Sequence, residues 1–145
     1  MRFEERTTIR ASPDRVWEVL SDWERQASWM PDVAWIRLLG PQRELRAKLQ
    51  VRTKVFGVPL ATDLVEVIAW GPPRQLGIRH VGVVVGTGEW KLAPISGGTA
   101  FTWLESFRMS PPILGDLALW LYSPWQRMML RRSIRNLKRL AERAG

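Results

Sequence analysis

Along residues 2–11 apolar and polar side chains alternate. Phe3, Thr7, Ile9 and Ala11 share one face with Glu5 as its odd member, and Arg2, Glu4, Arg6, Thr8 and Arg10 share the other. A period of two predicts a half-buried strand. Ser12-Pro13-Asp14 then marks a helix start: Ser12 can cap free N–H groups, Pro13 suits the first helical position and Asp14 suits the positive end of the helix dipole. Val16, Trp17, Val19 and Leu20 supply the apolar stripe of a helix over 13–22, and a second short helix is expected over 23–29, ending before Pro31.

Six strand-like segments follow. Residues 33–39 end at Gly40-Pro41. Residues 44–56 alternate throughout, with Leu45, Ala47, Leu49, Val51, Thr53 and Val55 inward and Arg46, Lys48, Gln50, Arg52 and Lys54 toward water. Gly57 and Pro59 punctuate before 60–70, which Gly71-Pro72-Pro73 closes. Segments 75–82, 84–93 and 99–109 complete the set, the last two joined by the hairpin signal Ser96-Gly97-Gly98. Seven sequential strands with short connections predict a twisted antiparallel meander.

Pro111-Pro112 ends the strands. Residues 112–122 read as a helix that is apolar nearly all round, with Asp116 its one charge. Ser123-Pro124 reads as a new cap and first turn, or else as a kink. From 124 to about 143 the pattern is amphipathic: Met129, Leu130, Ser133, Ile134, Leu137, Leu140 and Ala141 share one face.

Charge sharpens this picture. The net charge is +8, and Arg127 to Gly145 holds seven basic residues against the single acid Glu142, so most of the excess belongs to one helix. With no cysteine, disulfides and thiolate chemistry are excluded, which fits a reducing cytoplasm. His80 is the one histidine, so a zinc or iron site would need mostly carboxylates, and no metal or cofactor is expected. No segment approaches the roughly 18 apolar residues that span a bilayer, and Met1 to Arg6 is unlike a signal peptide. One cytoplasmic domain over 1–145 is expected.

Four stretches carry a family resemblance: Ala11-Ser12-Pro13-Asp14-Arg15-Val16-Trp17, Asp22-Trp23-Glu24 through Trp29-Met30-Pro31, Gly88-Glu89-Trp90-Lys91-Leu92 with Gly97-Gly98-Thr99, and Leu130 to Glu142. Their order and spacing resemble the START-like (SRPBCC) superfamily, in particular its polyketide cyclase/dehydrase and lipid-transport branch. The resemblance implies an α+β helix-grip fold, in which a curved seven-stranded antiparallel sheet wraps a long C-terminal helix with two short helices after the first strand. It also implies a cavity between sheet and helix.

Candidate walls of that cavity are Trp29, Trp35, Phe56, His80, Trp90, Phe101, Trp103, Glu105, Phe107, Gln126, Met129, Leu130 and Ser133. Apolar walls with a few polar groups suit a small molecule. Most of the nine tryptophans are expected to fill core, Trp17 and Trp23 among them. Glu105 shares strand parity with Trp103 and Phe107; burial would raise its pKa and make it an acid/base candidate beside His80, whereas pairing with Arg79 or Arg108 at a rim is the plainer alternative. A serine triad lacks its Gly-x-Ser-x-Gly elbow, and Gly82 to Gly88 is spaced wrongly for nucleotide-binding loops.

The expected function is binding or carriage of a lipid, polyketide or isoprenoid-like molecule. The alternative is a cyclase or dehydratase using Glu105 and His80. A ribosome or nucleic-acid partner for the basic helix ranks lowest, because that face reads more simply as solvated. Residues 112–125 could touch a membrane surface, cover the cavity mouth or join a homodimer.

Overall fold

The computed structural model describes every residue except 41, 42, 83, 110, 111, 144 and 145; the expected stops at Pro41 and Pro111 lie outside the described residues. The chain runs β1 (Arg2–Ile9), α1 (Pro13–Ser21), a 3-10 helix (Trp23–Ser28), β2 (Val33–Leu38), β3 (Lys48–Val55), β4 (Val58–Gly71), β5 (Gln75–Val81), β6 (Val84–Ile95), β7 (Gly98–Met109) and α2 (Pro112–Arg143). The strands form one antiparallel sheet in the order β1-β7-β6-β5-β4-β3-β2. The meander therefore runs from β2 to β7, and β1 closes against β7. The segment from α1 through the 3-10 helix carries the chain from one edge strand of the sheet to the other. This is the α+β helix-grip architecture.

Local chemistry explains the boundaries. The Ser12 hydroxyl accepts from the Arg15 backbone N–H at 3.2 Å and caps α1 behind Pro13. The Ser96–Gly97 turn joins β6 to β7, with Gly97 at φ +80° supplying the left-handed conformation a tight hairpin needs. After Ser21-Asp22 the expected second short helix opens, as a 3-10 helix of six residues over Trp23–Ser28.

Two expectations change. β3 begins at Lys48, not at 44: Arg46 takes φ +68°, its N–H donates to the Val67 carbonyl, and Leu45 points to solvent. Ala47 is buried, so only the first part of the alternation is turn rather than strand. And α2 runs unbroken through Ser123-Pro124. Pro124 has no N–H for the carbonyl four residues before it, that of Trp120. The Ser123 hydroxyl donates to that carbonyl instead, at 2.8 Å, so the freed acceptor is satisfied and the helix continues.

The C-terminal half of α2 lies in the grip of the sheet. Met129, Leu130, Ser133, Ile134, Leu137 and Ala141 are buried, and Leu140 packs against them. Glu5, the odd member of the β1 inner face, sits at the rim, where its carboxylate accepts from Arg131 Nε at 3.0 Å. Lys138 donates to the Thr8 carbonyl and pairs with Glu142. Part of the basic face is thus tied to β1, while Arg132, Arg135 and Arg139 remain exposed. Among the described residues no helix is long and apolar enough to cross a membrane.

Candidate functional site

Three rungs of the sheet decide where the interior is full and where it is hollow. The first pairs Leu76, Trp90 and Trp103 across β5, β6 and β7. The two indoles meet edge to face at 5.2 Å, and Trp29 closes on both at 6.0 and 6.2 Å. The second rung is Ile78, Gly88 and Glu105, and the third is His80, Gly86 and Phe107. At each of these the middle strand contributes a glycine. The side chains on either side face space that no β6 side chain fills.

That space is a cavity of about 410 Å³ between the concave sheet and α2. Apolar residues from β2 to β7 form its walls, among them Ile36, Val51, Val65, Ile78 and Phe107, and α2 roofs it with Ala118, Leu119, Tyr122 and Gln126. The two glycines differ in kind. A Cβ on Gly86 would collide with the Ser106 carbonyl, so the backbone requires glycine there, whereas a Cβ on Gly88 would meet only the Ile78 side chain, at 3.3 Å.

The mouth lies at the β3–β4 hairpin. Phe56 lines the cavity yet is 61% exposed, and its ring meets Tyr122 at 5.4 Å and Trp125 at 5.3 Å on α2. Phe56 and Gly57 form the two-residue turn, both at positive φ (+51° and +84°). Such a turn prefers Asn-Gly, and a phenylalanine there carries backbone strain of about 1 kcal/mol or more; its aromatic contacts across the mouth offset that cost. Beside the mouth, Ile113, Leu114, Leu117, Trp120 and Leu121 of α2 are all more than half exposed.

Glu105, Asp32 and Tyr122 lie near enough to feel one another's charge. Glu105 accepts from Trp103 Nε1 at 3.0 Å and from Gln126 Nε2 at 3.1 Å. Its pKa is raised to about 7, chiefly by burial and further by the nearby Asp32 charge, against which the two hydrogen bonds act. Burial also raises the pKa of Asp32, whose Oδ1 is shielded from water without a partner in the protein. Tyr122 is pushed up to about 12 by burial, then by Asp32, so its hydroxyl keeps its proton. His80 meets Phe107 at 5.7 Å with the ring planes tilted by 53°, and burial lowers its pKa to about 4, which leaves the ring neutral near pH 7. No group of acids and histidine among the described residues could hold a metal ion.

Seven expected wall residues are brought together around this cavity: Phe56, His80, Trp90, Trp103, Glu105, Phe107 and Gln126. Six are elsewhere. Trp29, Phe101, Met129, Leu130 and Ser133 are buried in solid core, Ser133 with its hydroxyl spent on the Met129 carbonyl. Trp35 faces outward under the Arg37 guanidinium, 4.4 Å from its ring, because a register shift between Val33 and Trp35 turns Val33 and Ile36 inward. The plainer alternative for Glu105 also fails: Arg79 pairs with Glu66 at 2.6 Å, and Arg108 is exposed. Sequence reasoning misses Asp32 and Tyr122. Asp32 sits in a loop after Pro31 and has no strand parity to betray its direction, and Tyr122 stands in a run that looks uniformly apolar. Along the outer face of α2, a hollow lined by Ser123, Pro124, Arg127, Met128, Arg131 and Arg135 is of similar size, about 490 Å³. Most of its lining is exposed, and it gathers none of the perturbed groups.

Solved structures of the same architecture are many. The Zhui aromatase/cyclase of Streptomyces sp. R1128 superposes with a TM-score of 0.82 at 19% identity, covering 99% of this chain and 94% of that one. A protein of Thermus thermophilus gives 0.81 at 17%, covering 100% and 99%. A START superfamily protein of Mycobacterium smegmatis gives 0.80 at 14%, covering 99% of each. No functionally curated protein matches the chain in sequence. At such identities the superpositions speak for fold alone. The sequence itself matches the family described as polyketide cyclase/dehydrase and lipid transport over residues 1–142, and the chain therefore belongs to that family.

Proposed function

We propose that the chain binds an apolar small molecule, of lipid, polyketide or isoprenoid type, between the sheet and α2, and acts in the cytoplasm as its carrier or binding protein. One observation supports this above the rest: the glycine rungs leave a partly open, mostly apolar space of about 410 Å³, within the range of small-molecule sites. A leucine at Gly88 would project into that space from a position whose only close neighbour is a flexible side chain. Gly88→Leu is expected to weaken binding of apolar probes at least tenfold while the melting curve stays cooperative, and Gly88→Ala to change little. Equal affinity in Gly88→Leu and the parent, by quenching of tryptophan fluorescence, would place the ligand elsewhere.

The exposed run beside the mouth supports loading from a membrane surface. Ile113, Leu114, Leu117, Trp120 and Leu121 present apolar surface to solvent, and Arg127, Arg131 and Arg135 follow on the same helix, a pairing of apolar and basic surface that suits anionic lipid. Vesicles of phosphatidylcholine with phosphatidylglycerol are expected to sediment with the protein, less so with Trp120→Asp. Failure to co-sediment would remove the membrane step and leave the cavity reading intact.

A cyclase or dehydratase is the second reading, favoured by Glu105: a cavity carboxyl with a pKa near 7 holds and releases a proton at working pH. His80, neutral down to about pH 4, lacks the imidazolium proton near neutrality, so the general-acid role would fall to Glu105. Turnover lost with binding retained in Glu105→Gln is the result this reading requires.

A further inference from the structure

The chain carries 22 basic residues against 14 acidic ones, yet the side chains around the cavity reverse that balance. Asp32, Asp63 and Glu105 line it and, among the described residues, no lysine or arginine side chain does. The cationic group at its edge is the Met1 ammonium, which lies exposed and gives one of its three N–H donors to the Phe107 carbonyl at 2.9 Å. Asp32 and Glu105 stand close enough that the charge of one is felt by the other, and both also act on Tyr122.

Hydrogen bonding narrows the choice further. Glu105 already takes a donor at each oxygen, from Trp103 and Gln126. Asp32 lines the same wall, and its Oδ1, shielded from water, takes none, so a donor in the cavity reaches it once the carboxylate turns. A buried acceptor left alone costs free energy comparable to a lost hydrogen bond, and a donor on a ligand would recover it. A carboxylate or phosphate brought beside Asp32 and Glu105 would lose its hydration, meet no lysine or arginine and face two carboxyls at close range.

We propose that the cavity selects an apolar molecule whose buried polar end is a hydrogen-bond donor, received by the Asp32 carboxylate, and that it rejects molecules ending in an anion. This rests on the cavity being the binding site and adds the class of ligand it takes. Ordinary fatty acids and phosphate-headed lipids are thereby ruled out as cargo, and alcohols, phenols and amines on a compact hydrocarbon body are ruled in.

Three probes with one hydrocarbon chain test it: 1-decanol, decylamine and decanoate, titrated at pH 8 and below their micelle-forming concentrations. Quenching of the tryptophans on the cavity wall, Trp23, Trp90 and Trp103, reports binding. The expected result is that decanol or decylamine binds at least tenfold more tightly than decanoate, and the tighter of the two shows whether the donor is a hydroxyl or an ammonium. In Asp32→Asn the deficit of decanoate is expected to shrink at least threefold. Decanoate binding as tightly as both others to the parent protein would overturn the selectivity while leaving the cavity as the site. No binding of any probe would overturn both.

Discussion

Glu105→Gln is expected to make the protein more stable by about 2 kcal/mol at pH 8 and to leave it little changed near pH 4. The carboxyl ordinarily titrates at 4.5 and in the fold at about 7. Between those values the folded state keeps a proton that the unfolded chain has released. The contribution of Glu105 to stability is therefore complete below about 4.5 and is lost as the pH rises through 7. The gap is worth about 3 kcal/mol, and solvent reaching the cavity screens part of it. The amide of the variant would mimic the protonated acid, so its profile lacks that loss. The buried Asp32, also raised, adds to the same slope.

His80 acts with the opposite sign. It ordinarily titrates at 6.5 and in the fold at about 4, so the unfolded chain takes up the proton first. Its contribution is complete above about 6.5 and is lost as the pH falls through 4. Between 4.5 and 6.5 the two slopes offset in the parent protein. Each single variant unmasks the other: stability of Glu105→Gln is expected to rise with pH across this window, and that of His80→Asn to fall. Guanidinium unfolding at half-unit steps from about pH 4 to 8 measures both. A parent and a Glu105→Gln variant of equal stability at pH 8 would show that Glu105 is not held in a poorly solvated place.

Trp29→Ala is expected to cost about 4 kcal/mol, in the upper range for an aromatic truncated in a core. Trp29 is 1% exposed and touches both indoles of the filled rung. Its carbonyl accepts from Asn136 Nδ2 at 3.0 Å, which ties the end of the 3-10 helix to α2. The void left by the ring lies behind Trp90 and Trp103, both of which line the ligand cavity, so indole added in solution is expected to fill it and recover part of the loss. Denaturant midpoints with and without indole provide the measurement. A cost under about 1 kcal/mol would mean that the neighbouring rings collapse into the gap and that Trp29 is not a support of the cavity floor.

The fold is written in short-range patterns. The alternation of β1 and β3, the cap at Ser12, the Ser96-Gly97 turn and the stripe from Met129 to Ala141 each depend on residues a few positions apart, and each appears in the structure near its expected place. The inward parity of Trp103, Glu105 and Phe107 is legible for the same reason: a strand side chain points to one face or the other. That parity ends where a strand is irregular, and so the alternation puts Trp35 on the wrong side of a register shift. Sequence pattern also places residues on the inner face without telling wall from core, and Phe101, Met129, Leu130 and Ser133 show the difference.

What the amino-acid order determines by itself is the list of elements and the face each presents. Only the tertiary structure decides which inward residues surround empty space, because a hollow exists where facing positions on three strands and a helix fail to meet, and those positions lie far apart in the chain. Gly88 creates space only because Ile78 and Glu105 flank it in register. Asp32 matters only because folding carries a loop carboxyl to Glu105 and gives its oxygen no partner. Through-space electrostatics and the absence of a filling side chain are properties of that assembled arrangement.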